Sequence, residues 1–189
     1  GLDVPIFEEA AVAGLMLPYT GGQPQARHAI LALNLQGGGG AEIWQYTGRT
    51  PVPASFQPQL GDLGIFAAKI KSRDVIATFN HLRKQGVNIQ SNPAPRPHGP
   101  EHFFVKDPWG NTFEIVGSDD WFLTERKKLT GGMYGAIIGV SDMERSMRFY
   151  REILGYETVV YDETADFPDW HGADGGFGRY RRVLLRHPE

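Results

Sequence analysis

The sequence predicts an α+β fold built from repeated units of one strand, one helix and three further strands. Segments 74–85 and 142–154 have the amphipathic spacing of helices and lie between segments typical of strands. A hairpin pattern covers residues 103–117. Two self-matches of the chain then relate the units to one another. These three observations together predict the strand–helix–strand–strand–strand unit.

The composition limits the classes of function. The chain has 189 residues, of which 41% are hydrophobic and 22% charged, as expected of a packed globular protein. A net charge of −3 gives no electrostatic case for binding nucleic acid or an anionic membrane. Since there is no cysteine, disulfides and thiolate metal sites are excluded. No apolar run is long enough to span a membrane and no signal peptide is recognisable, so a cytoplasmic protein is the expectation.

The other elements follow from apolar runs, glycines and prolines along the chain. Prolines predict an extended linker over 51–62 and an irregular loop over 91–100. The remaining predicted strands are 2–9, 27–35, 41–46, 63–71, 87–90, 135–141, 156–161 and 181–186.

The hairpin at 103–117 contains the first candidate functional residue. Its two strand patterns flank an Asp-Pro-Trp-Gly-Asn turn. On the second strand, Phe113 and Ile115 form one face, and Glu114 lies on the other face between apolar neighbours in sequence. A carboxylate at mid-strand is unusual unless its face borders a cavity, so Glu114 is a candidate site residue.

Two internal repeats define the predicted units. An offset of 72 residues places Glu42 on Glu114 and Gly38 on Gly110. An offset of 154 residues places Gly1 on Gly155 and keeps one ungapped register for more than thirty residues. The predicted division is a first module at 1–50 without its opening strand and helix, a linker at 51–62, a complete module at 63–120, a connector at 121–132, and a third module at 133–189 without its final strand. The chain is therefore expected to be an internal piece of a longer protein.

Two motifs resemble the vicinal oxygen chelate superfamily, which includes glyoxalases, bleomycin-resistance proteins and extradiol dioxygenases. Residues 107–116 match the family's closing Asp-Pro-x-Gly-Asn-x-x-Glu hairpin. Residues 139–155 resemble its opening strand and helix, including the Phe-Tyr and Leu-Gly pairs. The resemblance implies that the modules pair into a cupped, barrel-like mixed sheet. It also implies a metal in the cup, with ligands from the opening and closing strands of each module.

The closing-strand carboxylates of that family correspond to Glu42 and Glu114. Both are therefore expected to be metal ligands and catalytic residues, with a divalent metal (Zn, Fe, Mn, Ni or Mg) as the cofactor. The family's opening-strand histidine corresponds to Gly135 in the third module and to the vicinity of Ile65 or Ala67 in the second. None of these is a histidine, so a site without metal is the alternative.

Three further residues are candidate substrate contacts. His28 and His102 begin equivalent strands and would point into the cup, although a lone histidine is more often structural. Arg96, in the proline-rich loop, would meet an anionic substrate or control access to the cavity. The basic cluster formed by Arg179, Arg181 and Arg182 is interpreted as a solvated strand edge, with phosphate binding as the alternative.

Two functions remain open from the sequence. The first is a metal-dependent lyase, isomerase or dioxygenase that acts on a small oxygen-rich substrate. The second is a metal-free module that binds a small molecule in the same cup, as bleomycin-resistance proteins do. A homodimer is expected in either case, because incomplete modules expose strand edges and apolar surface. Nucleic acid and membrane partners are not expected.

Overall fold

The computed structural model describes residues 2–123 and 128–188. Residues 124–127 of the predicted connector lie outside the described part. Within it, two α-helices are separated by groups of strands, of which there are eleven. The elements are β1 (Val4–Ala13), β2 (Gln25–Leu33), β3 (Gly40–Tyr46), β4 (Gly64–Ser72), α1 (Val75–Lys84), β5 (Asn88–Ile89), β6 (Ala94–Pro95), β7 (Glu101–Lys106), β8 (Thr112–Gly117), β9 (Thr130–Gly139), α2 (Met143–Glu152), β10 (Thr158–Asp166) and β11 (Arg179–Arg186). This mixture of helices and strands confirms the α+β class.

The largest sheet has six strands, and the predicted hairpin lies within it. Its order is β5-β7-β8-β4-β9, and β6 pairs with β7. β7 and β8 are antiparallel, whereas β4 runs parallel to β8 because α1 and the following strands connect them. The parallel register sets Lys69 opposite Glu114 and Ile70 opposite Ile115. Each paired residue therefore shares a face with its partner.

One face of this sheet packs against α1. Val75 of the helix joins Phe103, Val105 and Ile115 in a buried cluster. The ring of Phe79 meets Phe103 edge to face, with centroids 5.3 Å apart. Because strand residues alternate, Glu114 lies on the opposite face, which we call the cup face.

A short aromatic segment covers the cup face. The loop between β10 and β11 contributes Phe167, Trp170 and Ala173, which form a second buried cluster with Phe104 and Leu60. This loop brings its polar residues down onto the sheet together with the aromatic ones. It therefore supplies part of the candidate site.

The third predicted unit joins the second through β9. β9 pairs antiparallel with β4 and forms one edge of the six-stranded sheet. β10 and β11 form a separate hairpin, and β1, β2 and β3 form a three-stranded sheet. A bulge in β1 after Pro5 has a counterpart in β10 after Val159, 154 residues later. The module boundaries themselves stay a prediction.

Both helices begin in the same way. Asp74 and Asp142 are the N-caps of α1 and α2, and each carboxylate accepts a hydrogen bond from the backbone N–H three residues later. Neither helix is long and apolar enough to cross a membrane, a finding that covers the described residues.

Candidate functional site

The candidate site is centred on Glu114, whose side chain is fully buried on the cup face. Lys69 lies directly opposite on β4, and its ammonium contacts Oε2 of Glu114. The lysine is itself 9% exposed. The parallel register of β4 and β8 thus forms a buried ion pair between the opening and closing strands of one module.

His102 occupies the other side of the carboxylate. It lies on β7, is 1% exposed, and places Nδ1 2.7 Å from Oε1 of Glu114. Its Nε2 is 3.3 Å from Oδ2 of Asp169, which belongs to the loop between β10 and β11. Phe104 flanks the imidazole edge to face, with centroids 5.3 Å apart. The ring therefore bridges two buried carboxylates.

Arg182 completes the network from β11. Its Nη1 donates to Oδ2 of Asp169 at 2.7 Å, and both side chains are almost fully buried. The guanidinium lies 4.1 Å from the ring centroid of Trp170, and the rings of Phe167 and Tyr161 are 5.2 and 5.6 Å away. The buried charge network is hereafter the set of Lys69, His102, Glu114, Asp169 and Arg182.

Burial and charge pairing act in opposite directions on the two carboxylates. Burial alone would raise the pKa of Glu114, but the Lys69 ammonium and the His102 ring outweigh it, so this pKa lies far below its usual range. Burial also raises the pKa of Asp169, and the contacts with His102 and Arg182 more than offset it, so that pKa is lowered as well. Both groups are therefore carboxylates at neutral pH.

The basic partners respond differently. Burial lowers the pKa of His102, but the contacts with Asp169 and Glu114 are stronger together, so the net shift is upward. For Lys69, burial outweighs the attraction of Glu114, and the pKa is lowered from its usual value. Charge from Arg96 and Arg182 adds to the lowering. The network therefore favours a protonated imidazole and makes the lysine easier to deprotonate.

Glu42, the predicted twin of Glu114, is in different surroundings. It lies on β3 of the three-stranded sheet, it is exposed, and its carboxylate accepts a hydrogen bond from the indole N–H of Trp44. Glu114 is buried in the other sheet with Lys69 and His102. The structure therefore does not bring the two glutamates together.

The three candidate substrate contacts also lie in different surroundings. His102 lies beside Glu114. His28 is half-exposed on β2, with Nε2 3.2 Å from Glu8. Arg96 lies in the loop after β6, where its Nε donates to the carbonyl of Pro100 at 3.2 Å, and its charge reaches the network. Of these three, His102 contacts Glu114 and Arg96 lies close enough to Lys69 for its charge to act there; the functional roles of all three stay predictions.

The residues present do not fit a metal shared by Glu42 and Glu114. Each oxygen of Glu114 already contacts a cationic or imidazole group. Across residues 2–123 and 128–188, no three His, Asp or Glu side chains are grouped so that they could hold a metal ion. The donor set around Glu114 is that of an ion-pair network.

A groove of about 770 Å³ lies on the other side of the sheet. Its lining includes Leu82 at the end of α1, together with Phe113, Ile115 and Met133. None of the residues of the buried charge network lines it. The groove and the network are therefore separate features.

Sequence reasoning missed three members of the network. Lys69 interrupts an apolar strand, which was a signal, but its partner is 45 residues away in sequence. Asp169 lies in an aromatic- and glycine-rich loop without a local pattern. Arg182 was grouped with Arg181 as a solvated edge, and this was wrong for Arg182. Successive strand residues face opposite sides, so Arg181 is solvent-exposed with Asp162 and Glu144 while Arg182 is buried.

Comparison with known proteins agrees with the fold and the closing motif. A crystal structure of a glyoxalase family protein from Bacillus cereus superimposes with a TM-score of 0.51 at 10% identity, over 60% of this chain and 76% of that one. Its similarity therefore concerns the fold.

A relative in Arabidopsis thaliana, named "Lactoylglutathione lyase GLX1", is 26% identical over 117 residues. The match covers 61% of this chain but only 38% of the plant protein, so the chain spans well under half of that relative's length. Residues 6–115, which contain Glu42, Lys69, His102 and Glu114, match the "Glyoxalase/Bleomycin resistance protein/Dioxygenase superfamily". Since this match extends over more than half of the chain, the chain belongs to the glyoxalase/bleomycin resistance protein/dioxygenase superfamily.

Proposed function

We propose that the cup face of this chain binds a small, oxygen-rich molecule through protein cations, without a metal held by Glu42 and Glu114. The observation that carries the proposal is the position of Lys69. It pairs in register with Glu114, on the strand from which the family takes its other ligands, and its ammonium contacts the carboxylate. This is the metal-free alternative, in which the chain resembles the bleomycin-resistance branch of its superfamily.

Electrostatics supports this proposal over a metal shared by the two glutamates. A buried carboxylate without a counter-charge is unstable, and Lys69 already provides that charge. A divalent ion at Glu114 would lie close to the Lys69 ammonium, and the two cations would repel each other strongly in a region of low dielectric. Glu42, being exposed on another sheet, does not compensate for that repulsion.

Lys69→His is expected to raise the affinity for Zn²⁺ by about tenfold or more, because an imidazole would replace the ammonium beside His102 and Glu114. Equilibrium dialysis followed by metal analysis measures this. Lys71→His is the matched control, since Lys71 is also buried on the same face of β4 but donates to the carbonyl of Asp120. It is expected to leave the affinity unchanged.

Zn²⁺ binding by the unmodified protein would be the contradicting result. Tight binding of about one equivalent of Zn²⁺ by the unmodified protein, weakened by both Glu42→Gln and Glu114→Gln, would contradict the metal-free proposal. It would support the first function predicted from the sequence.

A metal-dependent lyase, isomerase or dioxygenase is the second candidate, for the protein as a whole. It is favoured by the relative whose name is lactoylglutathione lyase. An assay for that lyase activity, with and without added divalent metals, distinguishes the two candidates. Activity that requires metal and is lost in Glu114→Gln would favour the enzyme.

We also propose that the protein forms a homodimer through α2. Phe149 of this helix, and Ile153 and Leu154 directly after it, are between 45% and 68% exposed. Phe149→Glu is expected to weaken self-association by about tenfold, because it places a charge within the apolar surface. Sedimentation equilibrium measures the effect. Ile76→Glu on α1, where the apolar side chain is 48% exposed, serves as the control and is expected to leave self-association unchanged.

A further inference from the structure

The buried charge network contains more positive than negative groups. Among residues 2–123 and 128–188, the ion pairs of Lys69, His102 and Arg182 involve two carboxylates, those of Glu114 and Asp169. The raised pKa of His102 favours its cationic form. In a region of low dielectric, an excess of positive charge is stabilised by a further anion.

A buried hydrogen-bond donor beside Arg182 is unsatisfied. The indole Nε1–H of Trp170 is buried and has no hydrogen-bond partner among residues 2–123 and 128–188. Arg182 uses Nη1 for Asp169, which is the one hydrogen-bond partner found for its guanidinium within the same described residues. Both groups come together, with the guanidinium carbon 4.1 Å from the indole ring. A buried donor without a partner is uncommon in folded proteins, so the indole N–H of Trp170 indicates a missing acceptor.

A third donor and a fourth cation border the same place. Tyr161 of β10 is 8% exposed, and its ring lies 5.6 Å from the guanidinium carbon of Arg182. Burial raises the pKa of its hydroxyl, which therefore keeps its proton. Arg96 is close enough to act on the pKa of both Tyr161 and Lys69. The groups around this place thus offer N–H and O–H donors and positive charge.

One acidic group stands at the rim. Glu163 of β10 lies 2.6 Å from Nε2 of His98, whose ring is 5.7 Å from that of Tyr161. Glu163 is also opposite Arg182 in the β10–β11 register, but the hydrogen bond found for the guanidinium within the described residues goes to Asp169, so Glu163 does not supply the missing acceptor in this structure.

We propose that a small carboxylate-bearing molecule binds with its anionic group between Arg182, Trp170 and Tyr161. The inference rests on the proposed function and names its ligand class. A carboxylate fits because two oxygens in one plane match the parallel N–H groups of a guanidinium, and charge-assisted hydrogen bonds of this kind are the strong ones. The indole N–H of Trp170 and the phenol O–H of Tyr161 then donate hydrogen bonds to the same carboxylate oxygens.

The test uses oxalate as the probe and the indole signal of Trp170 as the readout. In ¹H–¹⁵N spectra of the full chain, the four indole signals are assigned with Trp44→Phe, Trp109→Phe and Trp121→Phe, which leaves Trp170. Oxalate is titrated in the presence of EDTA, so that no metal takes part, and chloride at equal ionic strength is the reference. We expect a saturable shift of the Trp170 signal with oxalate and none with chloride.

Variants on β11 separate a bound anion from a general effect of salt. Arg182→Gln is expected to weaken oxalate binding by about tenfold or more, because it removes the charge-assisted bonds. Arg181→Gln, its exposed neighbour, is expected to leave binding unchanged. Since Arg182→Gln also removes a partner of Asp169, Tyr161→Phe is a second variant, with an expected loss of about threefold.

The proposal is overturned if the Trp170 signal does not move with oxalate, or if chloride moves it equally. It is also overturned if Tyr161→Phe and Arg182→Gln bind oxalate as Arg181→Gln does. These outcomes differ from failure of the metal-free function, which would be tight Zn²⁺ binding through both glutamates.

Discussion

Glu114→Gln is expected to lower the free energy of unfolding by roughly 3–5 kcal/mol, the range for removing one partner of a buried ion pair. The glutamine would leave the Lys69 ammonium without its counter-charge and would place a neutral group beside His102. All three residues are at least nine-tenths buried, so water does not readily replace the lost interaction. Urea denaturation followed by circular dichroism measures the change.

Glu42→Gln is the natural control, because it makes the same chemical change at the residue matched to Glu114 by the internal repeat. It is expected to change the free energy of unfolding by less than about 0.5 kcal/mol. Glu42 is exposed and accepts a hydrogen bond from Trp44, which a glutamine side-chain oxygen can also accept. Equal destabilisation by the two substitutions would contradict the difference in burial on which the site is built.

The protein is also expected to lose stability in acid through Glu114 and Asp169. The pKa of each carboxyl is lowered in the folded state, whereas unfolded values are about 4.3 for Glu and 3.9 for Asp. Each group therefore contributes stability above its unfolded pKa and loses that contribution as the pH falls towards its folded pKa. Where the unfolded chain binds a proton that the folded chain does not, the free energy of unfolding falls by about 1.4 kcal/mol for each pH unit of acidification and for each group.

This dependence is measured by urea denaturation at several pH values between about 6 and 3, the window set by the unfolded pKa values. We expect the difference in free energy of unfolding between the unmodified protein and Glu114→Gln to shrink as the pH falls. The reason is that the variant has no carboxylate to protonate at this position. A difference that stays constant through this range would show that Glu114 is not held ionised by Lys69 and His102.

Local pattern was enough to locate Glu114 but not to identify its partners. Alternation along β8 showed that Glu114 and Ile115 face opposite sides, and the structure confirms that Ile115 packs against α1. The same alternation in β4 carries Lys69, yet its pairing with Glu114 depends on the parallel register across α1. That register is a long-range property, since a shift of one residue would turn Lys69 to the other face.

The internal repeat placed Glu42 and Glu114 at corresponding positions, but in the tertiary structure they lie in different sheets and differ in burial. Both occupy corresponding sites on closing strands. Burial of Glu114 depends on the loop between β10 and β11, which places Asp169 and Trp170 over the cup face. In the described part of the chain no such cover encloses Glu42, which is exposed on β3. A sequence match records the residue type, whereas burial depends on what packs above it.

The sequence by itself determined the α+β class, the hairpin around Asp107–Asn111, the two helices and the family. These depend on periodicity, turn residues and a short motif, all of which are local. Only the tertiary structure decided which charges are buried together. The neighbours Arg181 and Arg182 have the same side chain, yet one pairs with exposed carboxylates and the other with buried Asp169. The ionisation of such groups depends on partners brought together from distant parts of the chain, because desolvation and charge pairing act through space.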